Sequence, residues 1–109
     1  MASEVMKVAL SSGITNTEKV LLTVASGHTY TVLNISLCET AGVAETFDLF
    51  IQDDGGATDY EIYSDQALAA NETFEHTGRI VLTDEDHLTA KCGSTAVVHV
   101  VVSYLDQTR

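Results

Sequence analysis

Between residues 18 and 105 the chain is a succession of short runs rich in valine, isoleucine, leucine and threonine, each closed by glycine, serine, asparagine or aspartate. No convincing stretch carries apolar residues at helical spacing. The alternation falls on every second residue, the period of a strand with one buried face. A chain of this kind closes one thin core between two sheets and has little interior left for an active-site cavity. Function is then carried by strand edges, loops and outward faces, which favours a protein that binds or assembles over an enzyme.

The runs fall at 19–24, 29–38, 45–52, 60–64, 72–77, 79–82, 88–92 and 96–105. In 29–38, Thr31, Leu33, Ile35 and Leu37 share a face. In 45–52, Phe47, Leu49 and Ile51 do so, which leaves Phe50 as a large apolar side chain among Thr46, Asp48 and Gln52. The final run is apolar on both sides, with Val98, Val100 and Val102 facing one way and Val97, Val101 and Leu105 the other. Such a strand is central, or its outer face is covered by a partner. Runs 88–92 and 96–105 read as a hairpin across Gly93, Ser94 and Thr95. Residues 66–71 have helical propensity but are too few to hold a helix, so they read as a turn with Leu68 as a plug. The pattern predicts an all-β chain forming a single antiparallel β-sandwich of about eight strands, jelly-roll or immunoglobulin-like. Residues 1–17 read as an N-terminal arm or edge strand, with strand character at 5–10, and residues 18–109 as the sandwich domain.

Charge narrows the partners. Five basic residues stand against sixteen acidic ones, for a net charge of −11. The cations Lys7, Lys19, Arg79, Lys91 and Arg109 are scattered, whereas nucleic-acid binding needs them clustered to displace counterions, so no nucleic acid is expected. An acidic surface keeps a protein soluble at high local density, as display in many copies requires. The longest apolar run, 97–102, is interrupted by His99 and falls far short of the ~20 residues of a membrane helix. No membrane association is therefore expected. Met1, Ala2, Ser3 and Glu4 lack the basic start and apolar core of a signal peptide, which predicts synthesis in a cytoplasm. Two cysteines, Cys38 and Cys92, are too few for a disulfide scaffold and form no C-x-x-C motif. Cys92 shares parity with Leu88 and Ala90 and is expected to point inward. A Cys38–Cys92 disulfide is the minority reading in a reducing compartment.

The residues that carry chemistry elsewhere do not gather here. His28, His76, His87 and His99 lack metal-ligand spacing. Asp53, Asp54 and Asp59 surround a glycine pair and offer loop oxygens to calcium, but not in the spacing of a known calcium loop; Asp84, Glu85 and Asp86 form a second acidic turn. There is no nucleophile elbow, no phosphate-cradling glycine loop and no carboxylate pair to nominate. The sequence therefore assigns no catalytic residue, cofactor or metal. Tyr30, Tyr60, Tyr63 and Phe50 are the candidates for an aromatic sugar platform. Tyr60 and Tyr63 have opposite parity, and sandwich cores consume aromatics, which favours packing roles.

One order of segments goes beyond a generic sandwich. Leu22-Thr23-Val24-Ala25-Ser26-Gly27-His28-Thr29 leads into Leu33-Asn34-Ile35-Ser36-Leu37-Cys38-Glu39-Thr40. The run Thr46-Phe47-Asp48-Leu49, the acidic glycine loop, Leu68-Ala69-Ala70-Asn71-Glu72-Thr73, Leu82-Thr83-Asp84-Glu85-Asp86 and a closing valine strand follow. This resembles small β-sandwich virion proteins of tailed bacteriophages over residues 17–105. Ala25 stands where that pattern has proline, and Asn71 and Glu85 where it has glycine. Asn71 still tolerates positive φ, while Glu85 leaves the last turn less secure. The resemblance implies a non-enzymatic virion structural protein, a capsid decoration (cement) protein first, located in the virion. It implies a homo-oligomer, a trimer in the first instance, bound to the major capsid protein or other virion proteins. Edge strands and an outward apolar patch of Val97, His99 and Val101, joined by Phe50, are the expected contacts, with Val5 and Val8 of the N-terminal segment as a second contact. The alternatives are a neck, tail or fibre accessory, or a small carbohydrate-binding module; a small hydrolase is the weakest.

Overall fold

The computed structural model describes residues 3–53, 58–94 and 97–108. Of the residues singled out above, Met1, Ala2, Asp54, the Gly55–Gly56 pair, Thr95, Ala96 and Arg109 lie outside these. Among the described residues the chain forms β1 (Ser3–Ile14), β2 (Lys19–Thr23), β3 (His28–Glu39), β4 (Glu45–Gln52), β5 (Asp59–Leu68), β6 (Thr73–His76), β7 (Ile80–Leu82), β8 (His87–Cys92) and β9 (Val98–Thr108). Two antiparallel sheets result. One runs β1-β9-β3-β6 with β7 also on β3; the other runs β2-β8-β4-β5. The chain is thus an all-β antiparallel sandwich.

Alternation builds the core. Val98, Val100 and Val102 of β9 and Val32, Ile35 and Leu37 of β3 face Phe47 and Leu49 of β4 and Leu88, Ala90 and Cys92 of β8, all in one buried cluster. The aromatics sit toward the two ends of β3. Tyr30 packs on Tyr104 with ring centroids 4.9 Å apart. Near Leu37, Phe74 meets Phe47 at 5.3 Å and Tyr63 at 5.0 Å.

Three local expectations are corrected. Thr31 and Leu33 do not share the inward face of Ile35 and Leu37: the register of β3 on β9 shifts between Val32 and Asn34, so Val32 takes the core position and Thr31 lies beside outward Leu105. β8 and β9 do not form a hairpin: β8 lies between β2 and β4 in one sheet and β9 between β1 and β3 in the other. The chain changes layer there because the inward valines of β9 fill the core from the side opposite Leu88 and Ala90. Residues 66–68 are not a turn. β5 continues through them, with Leu68 opposite Glu45 and Ala67 opposite Thr46, because ladder pairing with β4 overrides helical propensity. Leu68 is nevertheless buried in the core, as a plug would be. The turn follows at Asn71, whose φ is 59°; Glu85 adopts φ 68° in the acidic turn.

Candidate functional site

The inward side chains of β9 end at Tyr104 and Asp106, so His99, Val101, Ser103, Leu105 and Gln107 point outward. Register extends that outward face over the neighbouring strands. On β1, Leu10 lies beside Val101, Val8 beside Ser103 and Met6 beside Leu105. On β3, Cys38, Ser36 and Thr31 lie beside His99, Val101 and Leu105. Val81 of β7 lies beside Thr31, which completes a row Met6–Leu105–Thr31–Val81 across the sheet. Met6 is 66%, Val8 56%, Leu10 74%, Val81 61% and Val101 40% exposed. The outward positions of β1, β9, β3 and β7 beyond Glu4 hold no Asp, Glu, Lys or Arg, in a chain of net charge −11. A shallow groove of about 290 Å³ runs between Leu10, Ser11, Ser12, His99 and Val101. Exposed apolar surface of this extent, with Glu4 at one end and Glu75 of β6 beside Ser36, is the candidate contact surface.

Three residues singled out in the sequence, Val8, His99 and Val101, meet on this face. Val5 lies on β1 but is paired with Asp106, so it points to the opposite side, where it is exposed. Val97 precedes β9, half-buried, and its carbonyl accepts hydrogen bonds from Thr40 N at 3.0 Å and Thr40 Oγ1 at 3.2 Å. Phe50 does not join the patch. It lies in the other sheet and is 1% exposed, outside the central cluster. Its cross-strand partners are Thr89 and Glu61, and Asp48, Gln52 and Lys91 flank them on the same face. Long polar side chains lay their stems over such a ring. Sequence reasoning placed Leu105 on the side of Val101 and took the segment 5–10 as a separate, second contact; it missed Val81, and it missed that this segment and β9 form one surface. Met6 and Leu10 share the parity of Val8, which was the available signal; the pairing of β1 with β9 was not.

The outer face of the second sheet is acidic. Asp48, Asp59 and Glu61 share it with Lys91. Partial desolvation pushes the Glu61 carboxyl above its ordinary value, and the carboxylates of Asp48 and Asp59 push it further. Asp48 Oδ1 accepts a hydrogen bond from Asp65 N at 2.7 Å, and Asp59 Oδ1 accepts one from Gln52 Nε2 at 3.0 Å.

Two buried carboxylates hold the ends. Glu39, at the end of β3, is fully buried and accepts the N–H groups of Ala41, Gly42, Val43 and Asn71 at 2.8–3.1 Å. Burial alone pushes its carboxyl up, but these four donors, Asn71 foremost, hold it below the ordinary glutamate range. The group pins two turns to one strand end and has little accepting capacity left for acid–base work. Asp106 accepts from Lys7 Nζ at 2.8 Å, and its other oxygen lies 2.6 Å from His28 Nδ1. The hydrogen bond to His28, then that to Lys7, lowers its pKa. This cluster ties β1, β9 and β3 together.

The remaining candidates disperse. His76 Nδ1 lies 2.8 Å from the Tyr63 hydroxyl, and no group of three metal-ligating side chains occurs among the described residues. Asp53 Oδ1 accepts from Thr58 N, and Asp86 Oδ2 from Thr83 N, both ordinary turn contacts. Tyr30 is buried, Tyr63 packs in the interior and Tyr60 is exposed, so the tyrosines share no platform. Both cysteines are free; burial pushes the Cys92 thiol up to about 12.

No family model matches the chain, and no curated protein matches it. Solved structures do. A chain from the acidic-stable capsid of Helicobacter pylori bacteriophage KHP30 superposes with TM-score 0.59 at 15% identity, covering 100% of this chain and 99% of that one. A chain from Bacillus endospore appendages, described as disulfide-linked pili, gives TM-score 0.58 at 12% identity, covering 98% and 87%. A chain of the T13 IBDV viral particle gives TM-score 0.53 at 9% identity, with 97% of this chain covering 35% of that one. These likenesses establish the fold: a small antiparallel sandwich of a kind found in phage and viral particles and in spore appendages.

Proposed function

We propose that the chain is a non-enzymatic structural component of a bacteriophage virion, made in the host cytoplasm and placed on the capsid as a decoration (cement) protein. The observation that carries this reading is the apolar outer face of β1, β9, β3 and β7, on which Glu4 is the one Asp, Glu, Lys or Arg among the described outward positions, in an otherwise acidic chain. A face of that character is expensive to leave in water and suits a shell or a neighbouring copy. The acidic face of the other sheet then points to solvent and keeps crowded copies apart. The fold shared with a chain of the KHP30 capsid supports the same reading. Copies of the chain meet as a homo-oligomer in this arrangement. The second reading, a tail or fibre accessory, draws on the fold shared with spore-appendage pili.

Quantitative mass spectrometry of purified particles tests it. Decoration predicts copies on the order of hundreds, as a closed icosahedral shell repeats one patch. A low multiple of the tail symmetry would move the protein to the tail, and absence from particles would overturn the virion reading. On the decoration reading, Leu10→Lys with Val101→Lys lowers incorporation at least about tenfold while the fold survives, because both residues are exposed.

A further inference from the structure

β1 is an edge strand. Among the described residues it pairs with β9 alone, so one flank of its twelve residues offers backbone groups to a further strand. Proteins guard such edges with outward lysines, prolines, bulges or short strands. Here the strand is long and contains no proline, and its bulge falls late, between Ser11 and Ile14. Its one lysine, Lys7, is held 2.8 Å from Asp106 on the inner side.

We infer that β1 pairs antiparallel with β1 of a second copy about a two-fold axis through Val8. An axis perpendicular to the sheet keeps both outer faces on one side and opposes residues of like parity, so it passes through a residue. An axis at Lys7 sets Lys7 against its own mate, and like charges directly opposed are destabilising. An axis at Ala9 sets Met6 against Ser12 and Val5 against Gly13. An axis at Val8 sets Val8 against Val8, Met6 against Leu10, Lys7 against Ala9, Val5 against Ser11 and Glu4 against Ser12. Apolar side chains then meet apolar ones on the outer face and no like charges oppose. This self-complementarity singles out a second copy of the chain over an unrelated strand. The pairing doubles the five-stranded sheet and joins two apolar outer faces into one surface, with Glu4 near each end of the seam and Glu75 of β6 away from it. It is closed and isologous, so the trimer implied by the family resemblance would need a different surface. The pairing rests on the assembly reading above only for what that doubled face is used for.

Sedimentation equilibrium of the purified full chain tests it, with Val8→Lys and Val81→Lys beside the parent. Both positions are exposed, so circular dichroism and melting should match the parent. The parent is expected as a dimer. Val8→Lys sets two ammonium groups opposite each other and weakens dimerisation at least about tenfold; Val81→Lys, on the same face but far from the edge, leaves it unchanged. Val8→Cys in a Cys38→Ser background is expected to form a disulfide-linked dimer under mild oxidation. A monomeric parent overturns the inference, as does a dimer dissolved by Val81→Lys and not by Val8→Lys, or a dimer that Val8→Cys fails to cross-link. The particle count fails independently: a dimer broken by Val8→Lys in a chain absent from virions would keep this pairing and refute the virion reading.

Discussion

On the five-stranded sheet the outward positions of β1, β9, β3 and β7 carry Met6, Val8, Leu10, Val101, Leu105 and Val81 among polar residues, with Glu4 on β1 and Glu75 on β6 as the carboxylates. On the four-stranded sheet the outward positions of β4, β5 and β8 carry Asp48, Asp59, Glu61 and Lys91 around a buried Phe50. The inward positions of both sheets are alike, mostly apolar and largely buried in one cluster. Folding therefore constrains the inner faces equally and leaves the outer faces free to differ. On the proposed reading, what they carry reports their surroundings: one is covered and the other stays wet. The contrast extends to single side chains. Phe50 and Val101 are both apolar and both outward, but Phe50 is buried in the folded protein's own packing and Val101 stands open to solvent.

Replacing those two side chains breaks the comparison most forcefully. Phe50→Ala should lower stability by about 3 kcal/mol, whereas Val101→Ala should change it by less than about 0.5 kcal/mol. Denaturant midpoints of the two variants measure both, and equal losses would show that the faces do not differ as described. Glu39→Gln comes next and bears on the ends that hold the faces in register. Its carboxyl is held below the ordinary value, so its contribution is present above about pH 4.5 and is lost as pH falls through the lowered folded value. The variant should melt lower than the parent at neutral pH, with the gap closing in acid. A gap that persists in acid would mean that the ionised carboxylate is not what pins the turns. The smallest effect belongs to the acidic face. Glu61 is raised by desolvation and then by Asp48 and Asp59, so ionising it opposes folding as pH rises through the ordinary glutamate value. Glu61→Gln should gain about 0.3 kcal/mol at neutral pH, after allowance for solvent screening, and nothing below pH 4. Thermal melts at both pH values read this difference, and no gain at neutral pH would weaken the picture of a mutually repelling face.

Much of the fold was legible because its period is local. β4 ends where the alternation ends, at Glu45 and Gln52, and the inward parity of Val98, Val100, Val102 and Cys92 follows from every-second-residue spacing. What failed was what distant strands decide. The alanines near Leu68 favour a helix or turn in isolation, and only β4 makes them strand. Nothing near Gly93 announces that β8 and β9 enter different sheets. Phe50 reads as exposed because the residues around it, Glu61, Thr89 and Lys91, come from other strands. For the same reason the sequence shows Val8 and Val101 singly, and the register of β1 on β9 makes them one surface with Met6 and Leu10. Glu39 gives no signal beyond its place before a turn; its four donors come from two loops.

On the proposed reading the apolar outer face of β1, β9, β3 and β7 is covered in the assembly and the acidic face is not. Radical footprinting of the chain, free and in purified particles, tests it in one experiment. Met6 on the apolar face is 66% exposed and open to oxidation in the free chain, while Asp59 and Glu61 on the other face are exposed to carboxyl labelling. Met6 should become protected on assembly while Asp59 and Glu61 stay reactive. Met6 oxidised equally in both states, with the carboxylates protected instead, would contradict it.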